Sequence, residues 1–132
     1  MVKIVGVGKF GEDVAVLFLK NLRYRILSRN FILGRVGEID IIARDRDGVL
    51  VFVEVKALDS FDGDFSPEDH FDEGKKYKLR KLADLFSNKF PEYIDVKLGC
   101  RVDLVAVSIF NSKRELSNWE SCCSINHYKN VC

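Results

Sequence analysis

Apolar and polar residues recur along the chain with two periods, one typical of helices and one typical of strands. Over residues 8–22, apolar side chains form two stripes at helical spacing, which predicts a helix buried on two sides. A second helical pattern covers residues 75–90 and keeps most of its basic residues outside. We expect Gly74 to separate it from a short helix that begins at Ser66-Pro67, a Ser N-cap followed by Pro and acidic residues.

Four other segments are rich in β-branched residues and are predicted to be strands. They cover residues 25–33, 38–44, 49–56 and 102–109. The short loop Arg46-Asp47-Gly48 joins the second and third segments into a hairpin. The predicted order is α-β-β-β-α-β. A helical crossover before the last strand implies a parallel, right-handed connection and a sheet with helices on its faces.

The hairpin loop decides which charged side chains share a face of the sheet. If Gly48 takes the left-handed position of a three-residue loop, Asp45 faces Val49. Continuing this pairing along the strands brings Asp40 opposite Glu54. A two-residue turn would instead shift the register by one and send these two carboxylates to opposite faces.

With the three-residue loop, one face of the hairpin mixes charged and apolar side chains. It carries Glu38, Asp40, Ile42, Leu50, Phe52, Glu54 and Lys56, with Glu38 opposite Lys56, and the other face carries Ile39, Ile41, Ala43, Val51, Val53 and Val55. Two carboxylates directly opposite each other repel unless a cation or a proton lies between them. Charges beside a covered apolar patch are costly unless they pair or coordinate. A solvated strand face is the alternative interpretation, and it is common in antiparallel sheets.

Several short motifs around these residues resemble a known family. They are Gly8-x-x-Gly11-Glu12-x-x-Ala15, Asn30-Phe31, Gly37-Glu38-Ile39-Asp40-Ile41-Ile42-Ala43, Phe52-Val53-Glu54-Val55-Lys56, Lys75-x-x-x-Leu79-x-x-x-Ala83 and Cys100-Arg101-Val102-Asp103-Leu104-Val105-Ala106. An Asp followed by Glu-x-Lys on the next strand is the signature of the PD-(D/E)XK nuclease superfamily. From about residue 8 to 122 the chain resembles the YraN family of that superfamily. The resemblance implies a restriction-endonuclease-like αβββαβ core, a mixed sheet flanked by helices, similar to archaeal Holliday-junction resolvases.

The resemblance also implies roles for individual residues. The expected ligands of Mg²⁺ or Mn²⁺ are Asp40, Glu54, the carbonyl of Val55 and Glu12. Lys56 would orient or activate the attacking water and stabilise charge on the phosphate, so the expected catalytic residues are Lys56, Asp40, Glu54 and Glu12. Glu12 has an alternative interpretation as a favourable acid in the first turn of a helix. Glu38 would support the site, and the expected nucleic-acid contacts are Lys75, Lys78 and Arg101.

Composition narrows the class of protein without naming a partner. With 132 residues, the chain is expected to form one domain, residues 1–132, of which about 111–132 would be a peripheral C-terminal extension. The hydrophobic share of 47% and charged share of 31% are those of a soluble globular protein. We expect a cytoplasmic protein with no membrane partner, because no apolar run approaches ~20 residues and residues 1–6 are too weakly apolar for a signal peptide. A net charge of +1 means that any nucleic-acid surface must be local.

Three functions are therefore compared. The favoured one is a metal-dependent endonuclease that binds and hydrolyses DNA rather than RNA, on branched or damaged structures. The alternatives are a catalytically silent nucleic-acid-binding protein and a partner-docking domain, the latter favoured by the acidic stretch over residues 59–73. Resolvase-like relatives also suggest a homodimer. The C-terminal Cys122-Cys123, His127 and Cys132 have a spacing that fits no common zinc module.

Overall fold

The computed structural model of the chain describes residues 7–59, residue 68 and residues 71–132. The helices and strands are α1 (Val7–Asn21), β1 (Arg25–Leu33), β2 (Gly37–Arg44), β3 (Leu50–Asp59), α2 (Glu73–Lys89), β4 (Cys100–Ile109) and β5 (Cys123–Tyr128). Two 3₁₀ segments, Pro91–Tyr93 and Leu116–Ser121, lie between the last elements. No helix in the described part of the chain is long and apolar enough to cross a membrane.

The strands form a mixed sheet in the order β1-β2-β3-β4-β5. β1, β2 and β3 are antiparallel neighbours, β3 and β4 are parallel, and β5 returns antiparallel to β4. Helix α2 lies between β3 and β4 in the chain, as the crossover of a parallel pair requires. The predicted αβββαβ core and the mixed sheet flanked by helices are therefore confirmed, and the protein has a restriction-endonuclease-like fold.

The C-terminal segment differs from the peripheral extension that we expected for residues 111–132. Residues Cys123–Tyr128 are the fifth strand, and Cys122 and Cys123 are buried at its start. Exposure alternates along β5, so only every second residue faces the core. The strand escaped prediction because it is short, its outward positions are polar, and its inward positions, Cys123, Ile125 and His127, include only one strongly apolar residue.

Helix α2 also begins differently from the prediction. Asp72 is its N-cap, and the Asp72 carboxylate accepts a hydrogen bond of 2.9 Å from the backbone N–H of Lys75. Gly74 therefore lies in the first turn of α2 and does not separate two helices. The short helix predicted to start at residues 66–67 lies outside the described residues.

Each face of the sheet carries its own apolar core. One core packs α1 on side chains such as Ile41, Val53 and Val105. The other packs Phe86 and neighbouring side chains of α2 on Ile42 and Phe52. Ile39 belongs to the α2 core, although strict alternation placed it with Ile41. The alternation breaks next to Asp40, where β2 parts from β3. This break lies at the candidate site.

Candidate active site

The loop between β2 and β3 has the predicted three-residue form. The backbone N–H of Asp45 donates to the carbonyl of Val49 at 2.9 Å, and Gly48 has a φ of +96°. The ladder then pairs Arg44 with Leu50 and continues to Ile41 opposite Val53. The predicted register is confirmed, and Asp40 and Glu54 are the next residues along it.

The two strands separate immediately beyond this ladder. The backbone N–H of Val55 donates to Oδ2 of Asp40 at 2.9 Å, so a side chain takes the place of a main-chain acceptor on β2. In an extended strand the N–H and C=O of one residue point to the same edge, so the Val55 carbonyl also faces Asp40. The expected pairing of Glu38 with Lys56 is not part of the ladder. This separation opens room for a ligand.

Asp40 and Glu54 form a carboxyl pair that is mostly shielded from water. Burial, followed by the hydrogen bond and the negative charge of Glu54, raises the pKa of Asp40 to about 7, while the N–H of Val55 and the charge of Lys56 oppose the rise. The Lys56 Nζ lies 3.3 Å from Oε2 of Glu54. A proton shared by the two carboxyl groups would relieve their repulsion, and a divalent cation would do the same.

Helix α1 and strand β2 bring two further carboxylates, Glu12 and Glu38, to the same place. Burial and the charges of Asp40 and Glu38 raise the pKa of Glu12, whereas Arg29 and Asn30 oppose the rise. The Asn30 amide is assigned the orientation in which its nitrogen faces the surrounding carboxylates. In this orientation the nitrogen donates to Oε1 of Glu38 at 2.7 Å and to Oε1 of Glu12 at 3.0 Å. Glu12 and Glu38 thus lie close enough to Asp40 for their charges to interact.

Helix α2 supplies positive charge on the other side of the carboxyl pair. A cavity of about 180 Å³ is lined by Glu38, Glu54, Lys56, Lys75, Lys78, Leu79 and Leu82. Burial and the neighbouring ammonium group of Lys56 lower the pKa of Lys75. A Cβ at Gly37 would meet the Cε of Lys78 at 3.0 Å, so glycine leaves room for that lysine. The predicted contacts Lys75 and Lys78 therefore border the site.

Arg101, the third predicted nucleic-acid contact, is not brought to this site. It lies on β4 opposite Val51, and its guanidinium donates to Asp45 at 2.6 Å, to Asp103 at 3.0 Å and to the Tyr24 hydroxyl at 2.8 Å. Three internal partners occupy this side chain, and only 16% of it is exposed. Arg101 is part of the packing of the sheet.

Asn30 lies in the site, although the sequence did not indicate that it would. Its motif Asn30-Phe31 matched the family, but no role followed from it. Asn30 has a φ of +53°, which asparagine tolerates better than most residues. An asparagine inside a predicted strand was the available signal for such an irregularity.

The oxygen atoms at this site suit a hard divalent cation by their chemistry. Asp40, Glu54 and Glu12 offer carboxylates, and Val55 offers a carbonyl, which are the ligand types that Mg²⁺ and Mn²⁺ prefer. Among the described residues, however, no group of three or more His, Cys, Asp or Glu side chains is already arranged around one metal position.

Comparison with known proteins gives the family. The model of the "Uncharacterised protein family UPF0102" matches residues 11–107. The chain belongs to this family. UPF0102 is the YraN family, so the resemblance carried by the motifs is confirmed.

Curated UPF0102 proteins match most of the chain. The protein from Desulforamulus reducens is 36% identical over 94% of this chain and 93% of its own length. The protein from Persephonella marina is 45% identical over 80% of this chain and 84% of its own. The protein from Clostridium botulinum strain Hall is 41% identical over 76% of this chain and 78% of its own.

Among solved structures, the chain is similar to one described as "Structure of EndoMS-dsDNA2 complex". The match has a TM-score of 0.41 and 15% identity, and it covers 68% of this chain. The chain spans only about a third of that protein, since the match covers 32% of it. A likeness this distant says nothing about activity, which has to be argued from the site.

Proposed function

We propose that the protein is a metal-dependent endonuclease that binds DNA and hydrolyses its phosphodiester bonds. The observation that carries the proposal is the pair of Asp40 and Glu54, hydrogen-bonded to each other and flanked by Lys56. Clustered carboxylates with a raised pKa beside a lysine are uncommon as structural features and are typical of reactive sites. The nuclease-like fold adds support without deciding the activity.

The residues that would hold Mg²⁺ or Mn²⁺ are Asp40, Glu54, Glu12 and the carbonyl of Val55. A bound ion of this kind would polarise the phosphate and lower the pKa of a bound water. Cation binding would displace the proton between Asp40 and Glu54. Glu38 would remain outside this set and support the position of Glu12 through Asn30.

Lysine side chains have two separate roles in the proposal. Lys56 lies within 3.3 Å of Glu54, where its ammonium group would orient the attacking water and stabilise charge that develops on the phosphate. Lys75 and Lys78 border the same cavity from α2 and would contact phosphates on either side of the scissile bond. Their charge would attract any DNA, and a preference for branched or damaged structures is part of the proposal.

A nuclease assay tests the proposal directly. Wild-type protein is incubated with linear, flapped and four-way DNA in Mg²⁺ or Mn²⁺, beside the variants Asp40→Ala and Lys56→Ala. Asp84→Ala is the matched control, because Asp84 is exposed on α2. We expect the wild type and Asp84→Ala to cut and the two site variants to lose cleavage. Cleavage that survives Asp40→Ala contradicts the proposal.

A catalytically silent DNA-binding protein is the second candidate. The observation that favours it is the hydrogen bond between Asp40 and Glu54, which satisfies this pair without a cation. Salt-dependent retention on heparin together with no nicking of plasmid DNA in Mn²⁺ would support this candidate. Absence of both retention and nicking would leave the partner-docking domain.

A further inference from the structure

Strand β1 deviates from regular geometry at Asn30. The pairing of Arg29 with Ile41 and of Phe31 with Ile39 puts Asn30 level with Asp40. In a regular strand, successive side chains point to opposite faces. Here Arg29 donates to Asp13 of α1 at 2.6 Å, and Asn30 donates to the next acid on that helix, Glu12, at 3.0 Å. The φ of +53° at Asn30 makes this shared direction possible.

The Asn30 amide lies among carboxylates that would otherwise repel one another. Its two N–H groups match two acceptors, Oε1 of Glu38 and Oε1 of Glu12. The negative charges of Asp40 and Glu38 both act on Glu12. An unsupported Glu12 side chain would therefore turn away from Asp40. The amide removes part of the repulsion and fixes Glu12 in one orientation.

We propose that Asn30 is a positioning residue that holds Glu12 in the cation site. The inference rests on the proposed function, because it takes Glu12 as a ligand. Asn30 itself does not touch the cation or the substrate. Outer partners of this kind orient metal ligands, and their loss weakens metal binding about 10- to 100-fold.

The test measures Mn²⁺ affinity by electron paramagnetic resonance and the melting temperature in a chelator. Asn30→Gly removes the amide while allowing the positive φ. Asn130→Gly is the matched control, because Asn130 is exposed and has a φ of +56°. We expect Asn30→Gly to bind Mn²⁺ about tenfold more weakly, whereas Asn130→Gly keeps wild-type affinity. The melting temperature of Asn30→Gly in chelator should stay close to that of the control.

A double-variant cycle shows whether Asn30 acts through Glu12. The variant Asn30→Gly/Glu12→Gln should bind Mn²⁺ no more weakly than Glu12→Gln alone. Unchanged affinity in Asn30→Gly, or a loss that multiplies with that of Glu12→Gln, overturns the inference and leaves the proposed function standing. If wild-type protein binds no Mn²⁺, the metal-dependent function fails first, and the inference fails with it.

Discussion

Two carboxylates on the same sheet, the buried Asp103 and the half-buried Asp40, have opposite surroundings. Asp103 on β4 is fully buried and receives hydrogen bonds from Arg101 at 3.0 Å, from His127 at 2.8 Å and from the backbone N–H of Asn130 at 3.0 Å. Burial raises the pKa of Asp103, but these hydrogen bonds outweigh it, so the pKa lies below its ordinary value. The pKa of Asp40 is raised instead, because a second carboxyl is its neighbour.

The difference separates a structural carboxylate from a candidate ligand. Both carboxylate oxygens of Asp103 accept hydrogen bonds, two at Oδ1 and one at Oδ2, so the charge is compensated within the chain. Asp40 has one backbone donor and shares its remaining surroundings with Glu54, which leaves negative charge for a cation or proton to neutralise. If burial were the only criterion, Asp103 would be a stronger candidate for a cation ligand than Asp40.

The largest expected effect is the loss of folding stability when Asp103 is replaced. Asp103→Asn leaves the Arg101 guanidinium without one anion and turns an acceptor into a donor, so we expect a loss of about 3 kcal/mol in unfolding free energy. Urea denaturation at pH 7 measures it. Because the folded pKa is lowered, the stabilisation is present above the unfolded value and is lost as pH falls through the folded one. Wild type and Asp103→Asn should therefore converge in stability in acid. A difference that grows in acid would show that Asp103 is not the compensated group.

The change in folding stability caused by Asp40→Asn should have the opposite sign to that caused by Asp103→Asn. The folded pKa of Asp40 is raised to about 7, so its unfavourable contribution grows as pH rises from the unfolded value and is complete above about 7. In a chelator at pH 8, we expect Asp40→Asn to be more stable than wild type by about 2 kcal/mol, with the difference vanishing near pH 4. Thermal denaturation at both pH values measures this. A variant less stable than wild type at pH 8 would remove the contrast with Asp103.

The sequence predicted the surroundings of Asp40 better than the surroundings of Asp103. Asp40 and Glu54 are joined by a hairpin whose register depends on a local loop ending in Gly48, so pattern and turn chemistry were enough. Arg101 depends on Tyr24 and Asp45, which the fold brings from distant parts of the chain. No periodicity reveals such partners, so the sequence predicts a nucleic-acid contact at Arg101 where the structure shows internal hydrogen bonds.

The same limit applies to Asn30 and β5. The contact of Asn30 with Glu12 arises because α1 packs across the sheet, and β5 depends on its pairing with β4. Propensity and alternation act within a segment, whereas these features are set between segments. Cation binding stays a prediction for Asp40, Glu54, Val55 and Glu12, and the shift of the melting temperature in Mn²⁺ tests it.

Glu54→Gln tests whether the carboxyl pair binds a cation. A bound ligand stabilises the folded state by RT ln(1 + [L]/Kd), about 1.4 kcal/mol at ten times Kd. We expect millimolar Mn²⁺ to raise the melting temperature of wild type and to leave Glu54→Gln unchanged. Asp103→Asn, although less stable, should keep the full Mn²⁺-induced shift because its carboxylate belongs to the fold. Loss of that shift in Asp103→Asn would mean that the two clusters are not independent.

The smallest effect is expected at Lys75, where the charge is near the carboxyl pair but outside it. One phosphate contact contributes about one unit to the slope of log K against log salt concentration. We therefore expect Lys75→Ala to weaken DNA binding, lower that slope by about one and leave the melting temperature nearly unchanged, since the side chain is only partly buried. Lys89→Ala is the matched control, because Lys89 is exposed at the opposite end of α2, and this variant should keep the wild-type slope.

Lys56→Ala should keep most of the DNA binding and lose cleavage, because the Lys56 ammonium group neighbours Glu54. Equal slopes for the two α2 variants would place the DNA away from the N-terminal turn of α2 and contradict the role proposed for Lys75.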